Sequence, residues 1–426
     1  MESIRKSINF VQEFSLPLIG GVFVALLAAN LFHHEYHDIL HWAPVHGIMV
    51  FGHELNFHFV VNDIFMVFFF GIAAKEITES CLPGGDLNPI GKAINPLIAT
   101  LGGVFGPVGV FFAGLFLCFQ LGVYDANAVE WGTVANGWGI PTATDIALAW
   151  LVARAVFGKA HPAVNFLLLL AVADDAIGLG IIAVFYGDPA NPAKPVYLLL
   201  VLAAMGVAFG LRKMKVQSWP VYIATAGPLA WSGLMLAHLH PALALVPIVP
   251  FIPGPKRDTG LFVHEDTVEG DAHHDDYHSP LHLFEHQLKP FVDFGLFFFA
   301  FANAGVELSG IGAMSWLILG ALVVGKTIGI GLMGVLAEAL GFRLPQGMSR
   351  GDLVMAGFIA ALGLTVALFV ASAAFTDPAL QGEAKMGALF SGFVGLAAIL
   401  LGKALGFGKA ANAEAGNEDE ELRQVA

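Results

Sequence analysis

The stretch "LLLLAVADDAIGLGIIAVFY", residues 167–186, places two adjacent acids, Asp174 and Asp175, in the middle of an apolar run. One aspartate at the centre of a membrane helix costs about 2.5–3.5 kcal/mol on insertion scales. Two neighbouring carboxylates cost more, because like charges also repel each other. Ionisable residues inside membrane segments usually mark ion or proton paths. The pair is therefore the first candidate for a functional site.

The composition of the 426-residue chain is typical of a membrane protein. Hydrophobic residues make up 57% and charged residues 13%, whereas a soluble domain carries about 25% charged residues. Fifty glycines agree with this class, since glycine is commoner in membrane helices than in soluble ones. We therefore expect an all-α polytopic membrane protein, with the lipid bilayer as its surroundings and no nucleic-acid partner.

Apolar runs long enough to cross a bilayer as helices recur along the chain. We expect twelve spans, near residues 14–32, 59–79, 95–120, 135–154, 161–186, 195–211, 219–236, 238–252, 289–307, 314–340, 351–374 and 385–407. If the N-terminus is cytoplasmic, 17 of the 20 lysines and arginines lie inside, Lys194 and Lys385 lie outside, and Lys326 falls within a span. Because cytoplasmic loops are enriched in basic residues, both termini are expected to be cytoplasmic.

Once the charges at the flanks of the spans are set aside, few other ionisable groups lie inside the apolar runs, namely Asp63, Asp145, Asp293 and Lys326. For Asp63 and Asp293, near membrane ends, a tolerated polar residue facing a neighbouring helix is at least as good an explanation as a functional role. Successive helix residues point about 100° apart, so the two adjacent acids cannot both face one partner. One acid could face a cation site and the other a counter-charge, for which Lys326 is the only basic candidate in the core.

Two predicted spans are interrupted near their middle. Asp145 follows a glycine- and proline-rich stretch in "NGWGIPTATDIALAW" (136–150), and the eleventh span contains "GLT" at 363–365. Non-helical backbone within a membrane is tolerated only where it is buried or lines a cavity. A broken segment in each half of a transporter indicates a binding site at the midplane. Asp145 could balance the positive helix ends there, and Lys326 the negative ones.

The chemistry of these groups favours a hard cation. Carboxylates, threonine hydroxyls and free carbonyls are oxygen ligands, which hard cations prefer. Protons and cations compete for the same carboxylate oxygens, because cation binding needs the deprotonated form. Competition at one alternately exposed site is sufficient for exchange. The sequence therefore predicts that Asp174 and Asp175 form a cation/proton exchange site, and no cofactor is expected.

Four motifs closely resemble those of the NhaA family of bacterial sodium/proton antiporters: "GIPTATDIALA" (139–149), "AVADDAIGLG" (171–180), "FFFAFANAGV" (297–306) and "GKTIGI" (325–330). The similarity runs from about residue 14 to 405. It implies a twelve-helix NhaA-like fold with inverted repeats and two crossed, unwound helices. It also implies a secondary transporter rather than an enzyme. Its activity would be electrogenic exchange of cytoplasmic Na⁺ or Li⁺ for external protons, for pH and sodium homeostasis, in the bacterial inner membrane.

The resemblance also implies roles for individual residues. By motif match, Asp174 and Asp175 bind the ion (Na⁺) and the protons, Lys326 pairs with the first acid, and Thr144 and Asp145 are the polar pair at the broken helix. Four further residues, Asp63, His240, Glu285 and His286, match family positions expected in pH response or proton access. Asp293 stands where the family pattern is usually apolar, and a part for it in proton access is left open.

One departure from the family pattern lies in "GIAAKEIT" (71–78), where Ala73 stands at a position that the family fills with glutamate. This departure puts the family's cytoplasmic pH sensing in doubt for this chain. The domain plan that follows is a cytoplasmic N-terminus (1–13), a twelve-span transporter domain (14–407) with a long cytoplasmic loop (253–288), and an acidic cytoplasmic tail (408–426) expected to be disordered.

Thirteen of the 16 histidines lie in two segments, 33–58 and 264–286. The resemblance places an external β-hairpin in the first segment, through which two chains pair as a homodimer. The second segment belongs to the acidic cytoplasmic loop and is best explained as a solvated loop. Control by pH through histidine titration and adventitious zinc or nickel binding are the alternatives for both segments.

Other functions explain the embedded charges less well. An intramembrane aspartyl protease needs acids on separate helices in Tyr-Asp and Gly-x-Gly-Asp contexts, and no Gly-x-Gly-Asp occurs in the chain. A sodium-coupled organic-anion symporter of similar broken-helix architecture is the nearest alternative. It would need several basic or amide groups for the anion, and Lys326 alone supplies one. A channel would need rings of carbonyls or acids from several subunits.

Overall fold

The computed structural model describes residues 15–43, 47, 49–83, 90–125, 129–159, 161–187, 192–254 and 279–407. The predicted N-terminus (1–13), most of the cytoplasmic loop (253–288) and the acidic tail (408–426) lie outside the described residues. The chain divides into two compact units, each built from two stretches of sequence. Unit 1 comprises Met1–Lys92 and Ala176–Leu308, and unit 2 comprises Ala93–Asp175 and Ser309–Ala426.

Almost all regular structure is helical. In chain order the helices are α1 (Leu16–Leu31), α2 (His33–Leu40), α3 (Phe57–Ser80), α4 (Ile90–Gln120), α5 (Trp131–Thr142), α6 (Ile146–Phe157), α7 (Pro162–Phe185), α8 (Pro195–Lys213), α9 (Trp219–Leu236), α10 (Pro280–Asn303), α11 (Ala313–Ala339), α12 (Arg350–Ile359), α13 (Leu364–Ala374) and α14 (Pro378–Leu405). A hairpin of two short strands, β1 (Met49–Val50) and β2 (His53–Glu54), joins α2 to α3.

The helices are those of a multi-pass membrane protein. Among the described residues, six helices are long and apolar enough to cross a membrane, and the number rises to eight if each of two bent pairs forms one span. The bent pairs are α5 with α6 and α12 with α13, and each bends by 50°. Both bends fall at the interruptions that the sequence indicates.

The segment 238–252 is not the spanning helix that its apolar composition predicts. It consists of two 3₁₀ turns, Pro241–Leu243 and Val249–Phe251, joined by further turns. Pro241, Pro247 and Pro250 recur within ten residues, and each removes a backbone donor and clashes with the preceding helical turn. The expectation of a helix there is wrong, because hydropathy measures burial and does not measure the capacity to form α-helical hydrogen bonds.

Unit 1 packs α10 closely against its neighbours through small residues. A Cβ on Gly21 of α1 would overlap the carbonyl oxygen of Phe297, and one on Gly295 would overlap the ring of Phe65. The hydroxyl of Tyr36 donates to the carbonyl of Phe301 at 2.6 Å. These contacts hold α10 against α1, α2 and α3, and α10 carries several of the predicted site residues.

In unit 2, α4 and α11 cross with their backbones in contact. A Cβ on Gly102 would overlap the carbonyl oxygen of Gly329, and a Cβ on Gly106 would overlap that of Gly325. Close approach through glycine is a common way for membrane helices to associate, since van der Waals contact replaces the hydrophobic effect there. Gly325 directly precedes Lys326, so this crossing fixes the height and rotation of the lysine.

The glycine crossing gives a test by substitution. On propensity alone, alanine should stabilise a helix over glycine by about 1 kcal/mol. At Gly106 the added methyl group would overlap the backbone of α11, so the substitution is expected to destabilise the protein. We expect Gly106→Ala to lower the free energy of unfolding by about 1–3 kcal/mol. Gly109→Ala, on the same helix with open space around it, should be neutral or mildly stabilising. Thermal unfolding of the detergent-solubilised protein measures both, and equal stability of the two variants would contradict the crossing.

Candidate functional site

The candidate site in unit 2 is centred on Asp174 of α7. Its side chain is 1% exposed. Carboxylate oxygen Oδ2 accepts a hydrogen bond from the Thr144 hydroxyl at 2.8 Å and from the Lys326 ammonium at 2.5 Å. Three separate segments thus meet at one oxygen, namely α7, α11 and the connection between α5 and α6. The result is a fully buried ion pair with a shared hydroxyl.

Lys326 reaches this position from a distorted turn of α11. Residues Ala321–Lys326 form a π-helical turn, a feature that is frequent at functional sites. The ammonium is 0% exposed and donates to the Thr144 hydroxyl at 2.7 Å as well as to Asp174. The Thr144 hydroxyl has one hydrogen of its own, which it can donate either to Asp174 or to the carbonyl of Ala360 at 3.0 Å.

The two acids of the doublet have different surroundings. The other oxygen of Asp174, Oδ1, is buried and accepts no hydrogen bond within the described part of the chain. Asp175 is only partly buried, because the helix turns about 100° from one residue to the next. One carboxylate is therefore committed to the lysine, and the next carboxylate along the helix is more accessible.

Asp145 lies at the beginning of two helices at once. Its Oδ1 accepts from the backbone N–H of Leu148 at 3.1 Å, which caps α6. Its Oδ2 accepts from the hydroxyl of Thr365 at 3.0 Å and from that residue's N–H at 3.4 Å, near the start of α13. Helix N-termini carry partial positive charge, and a single buried carboxylate balances two of them. Thr365 is the third residue of the "GLT" interruption, and the sequence analysis assigned it no role of its own.

Groups from other segments donate hydrogen bonds to the backbone carbonyls that lack helical partners at the end of α12. The carbonyl of Leu362 accepts from the N–H of Asp145 at 2.6 Å, and that of Ala360 lies 3.0 Å from the Thr144 hydroxyl as the alternative acceptor to Asp174. The N–H of Gly363 donates to the hydroxyl of Ser391 at 3.2 Å. Among the described residues, the hydrogen bonds of Lys326 go to Asp174 and Thr144 and not to these carbonyls. The broken backbones therefore satisfy each other without the lysine.

Asp63 and His240 lie close together in unit 1. Asp63 sits on a π-helical turn of α3, Val60–Phe65, with its Oδ1 3.9 Å from Nδ1 of His240. The backbone carbonyl of Asp63 accepts from the Trp231 indole at 2.7 Å. The structure thus brings together two of the four residues expected in pH response or proton access.

Glu285 belongs to an ion network in unit 1 that was not among the predictions from sequence. Its carboxylate accepts from the ammonium of Lys75 and, at 3.4 Å, from that of Lys289. Lys75 is 2% exposed and also pairs with Glu79 at 2.7 Å. The spacing of Lys75 and Glu79, one helical turn apart within an apolar helix, could have indicated a pair.

The remaining predicted residues lie outside the groups of contacts described above. His286 is exposed, with its ring 6.4 Å from that of His282, and Asp293 is half-buried on α10. Ala73, at the departure from the family pattern, is also half-buried. In the described ranges no group of three or more histidine, cysteine or acidic side chains is arranged to hold a metal ion.

The ion network predicts a stability difference between its two lysines. Removing Lys75 leaves two buried carboxylates without their shared cation, so Lys75→Met should cost about 3–5 kcal/mol. Lys289 is one-third exposed, and Lys289→Met should cost about 1 kcal/mol or less. Thermal unfolding in detergent compares the two variants. Equal losses of stability in the two variants would contradict the role of Lys75 as the buried, central cation of the network.

Known proteins of one family match this chain along nearly its whole length. The family model described as Na+/H+ antiporter 1 matches residues 8–404. The chain is 57% identical over 403 residues to the "Na(+)/H(+) antiporter NhaA" of Geobacter sulfurreducens, covering 94% of this chain and 98% of that protein. It is 56% identical over 416 residues to the protein of the same name from Desulfitobacterium hafniense, covering 97% and 100%. The chain belongs to the NhaA family of Na⁺/H⁺ antiporters.

Proposed function

We propose that this protein exchanges cytoplasmic Na⁺ or Li⁺ for external protons across the bacterial inner membrane, as a secondary active transporter and not as an enzyme. The observation that carries the proposal is the buried Asp174–Lys326 pair beside a more accessible Asp175. The names of the relatives, Na(+)/H(+) antiporter NhaA, support the same activity. No cofactor takes part, since ion and proton gradients drive each other.

Sodium binds at the oxygens of the acid doublet. Asp175 is only partly buried, although its Oδ1 is itself buried, and Asp174 offers Oδ1, which accepts no hydrogen bond among the described groups. The Thr144 hydroxyl and the carbonyl of Ala360 lie beside them and add neutral oxygens. A dehydrated sodium ion requires such hard oxygen ligands.

Protons leave the site as sodium enters. A cation on the doublet attracts Asp174 away from Lys326, and the ammonium then loses the carboxylate that keeps it charged in an apolar site. Any proton on Asp175 also has to leave before the carboxylate can bind the ion. Two protonatable groups therefore respond to one sodium ion. This supports electrogenic exchange with more than one proton per sodium.

The helix breaks supply the moving part. We infer that α5–α6 and α12–α13 are the two crossed, unwound helices of an NhaA-like fold with inverted repeats, within a transporter domain of residues 14–407. The contacts of Asp145 with both breaks support this, because one carboxylate stabilises both half-helices. The excess of lysine and arginine on one side supports cytoplasmic termini.

The remaining groups are proposed to regulate access and assembly. Asp63 with His240, Glu285 within its ion network, His286 and Asp293 are candidates for pH response or for a proton route. The segment 33–58 contains a hairpin at Met49–Glu54, and we propose that it joins two copies into a homodimer. Sodium and pH homeostasis is the physiological role that such an exchanger serves.

Sodium-driven dequenching of a ΔpH dye in inverted membrane vesicles tests the exchange. Wild type should show proton movement on addition of Na⁺ or Li⁺ at one or more pH values. Asp175→Asn removes a charged ligand, and we expect at least a hundredfold loss, since the contribution of a ligand charge at a buried site exceeds about 3 kcal/mol. Asp377→Asn is the matched control and should retain full activity, because Asp377 is an exposed acid at the start of α14 and asparagine caps a helix equally well.

The same assay has a clear negative outcome. If folded wild-type protein gives no response to Na⁺ or Li⁺ at any pH, antiport is excluded, and if Asp175→Asn exchanges like wild type, the acid doublet is not the ion site.

A further inference from the structure

A polar cleft opens in unit 2 between the end of α11 and the beginning of α12. Its volume is about 660 Å³, and Glu338, Arg343, Ser349 and Arg350 are among its lining residues. Helix α11 is long and apolar enough to span a membrane, and α12 is half of a bent span. Because the cleft begins where these spans end, it lies at the depth of lipid headgroups. Nothing in the proposed exchange uses it.

The cleft presents arginine donors that the protein does not satisfy. Arg343 is exposed and makes no hydrogen bond or ion pair with the described residues. Arg350 is 68% exposed, and its Nε donates to Glu338 at 2.8 Å. This contact orients the guanidinium and leaves both Nη groups without a partner in the part of the chain that the structure describes. Guanidinium groups match the geometry of phosphate oxygens, which they bind in a bidentate way.

The serine in the cleft is already committed. The hydroxyl and N–H of Ser349 both donate to the carboxylate of Asp352 at 2.7 Å, in a capping box at the start of α12. The site therefore depends on the two arginines and does not depend on the helix end. With Glu338 opposite, the two arginines leave one net positive charge, which favours an anion over a zwitterion.

An apolar row on α11 leads to the cleft. Leu332, Leu336 and Leu340 are all strongly exposed and stand four residues apart, on one face of the helix. Such a row suits an acyl chain that runs parallel to the helix. A free phosphate ion would gain nothing from it. The combination of apolar row and arginine cleft distinguishes a lipid from a soluble anion.

We propose that the cleft between α11 and α12 binds the phosphate of an anionic phospholipid whose acyl chain lies along Leu332, Leu336 and Leu340. Basic sites at the cytoplasmic ends of membrane helices are suited to anionic headgroups. The bound lipid bridges two helices, one of which carries Lys326 while the other begins a broken span. The inference is independent of the identity of the transported ion.

Native mass spectrometry of the full-length, delipidated protein tests the proposal. The probes are dioctanoyl phosphatidylglycerol, dioctanoyl phosphatidylcholine and glycerol 3-phosphate. We expect phosphatidylglycerol to bind about tenfold more tightly than phosphatidylcholine, and glycerol 3-phosphate to bind weakly. Arg343→Gln should weaken phosphatidylglycerol binding about fivefold, as expected for one basic residue at an anionic surface. Arg343→Gln combined with Arg350→Gln should weaken it further.

The control is Lys403→Gln, which removes an exposed cation at the end of α14, outside the cleft, and should bind the lipid like wild type. Equal lipid binding by wild type and the double variant would overturn the proposal, as would equal binding of both lipids. Tight binding of glycerol 3-phosphate that depends on the arginines would reassign the cleft to a soluble anion. If the double variant is unfolded, Arg343→Gln still decides, because Arg343 has no partner to lose among the described residues.

Discussion

The ion pair between Asp174 and Lys326 is the interaction on which the rest of unit 2 depends. Both groups are buried, and a charge left alone in such a place costs several kcal/mol. The pair also makes little net contribution to stability, since apolar residues of similar size would hold the helices together as well or better. A buried pair that contributes so little to stability fits the proposed role, in which the pair separates when a cation enters.

The surrounding structure keeps this pair in place and keeps it separable. The glycine crossing of α4 and α11 fixes the backbone beside Lys326, and a π-helical turn sets its direction. The breaks of α5–α6 and α12–α13 leave backbone groups that water cannot satisfy inside a membrane. Asp145, Thr144 and the facing carbonyls satisfy one another instead. The proposed moving part can shift as long as these few contacts are exchanged rather than lost.

Charges inside apolar runs are too costly to be accidental, and on this ground the sequence predicts the centre of the candidate site. Asp174, Asp175, Asp145 and Lys326 were found on that ground, and the two interruptions were found from glycine and proline. The family was also predicted correctly from four motifs.

What the sequence did not reveal follows from weaker physical constraints. Lys75 and Glu79 lie near a helix end, where a charge is ordinary, so their burial and their contact with Glu285 became visible only in three dimensions. Thr365 is one of many threonines, and its contact with Asp145 joins positions 220 residues apart. The segment 238–252 was wrongly predicted as a helix because the prediction relied on its hydropathy and neglected its three prolines.

The most direct test is the number of protons released when sodium binds to the purified protein in weakly buffered detergent solution, followed with a pH electrode. If Na⁺ displaces protons at the doublet, wild type should release more than one proton per bound ion. Lys326→Met should still bind Na⁺ and release fewer protons, because one of the two responding groups is gone. Sodium binding without any proton release, or equal release by wild type and Lys326→Met, would contradict the proposed competition.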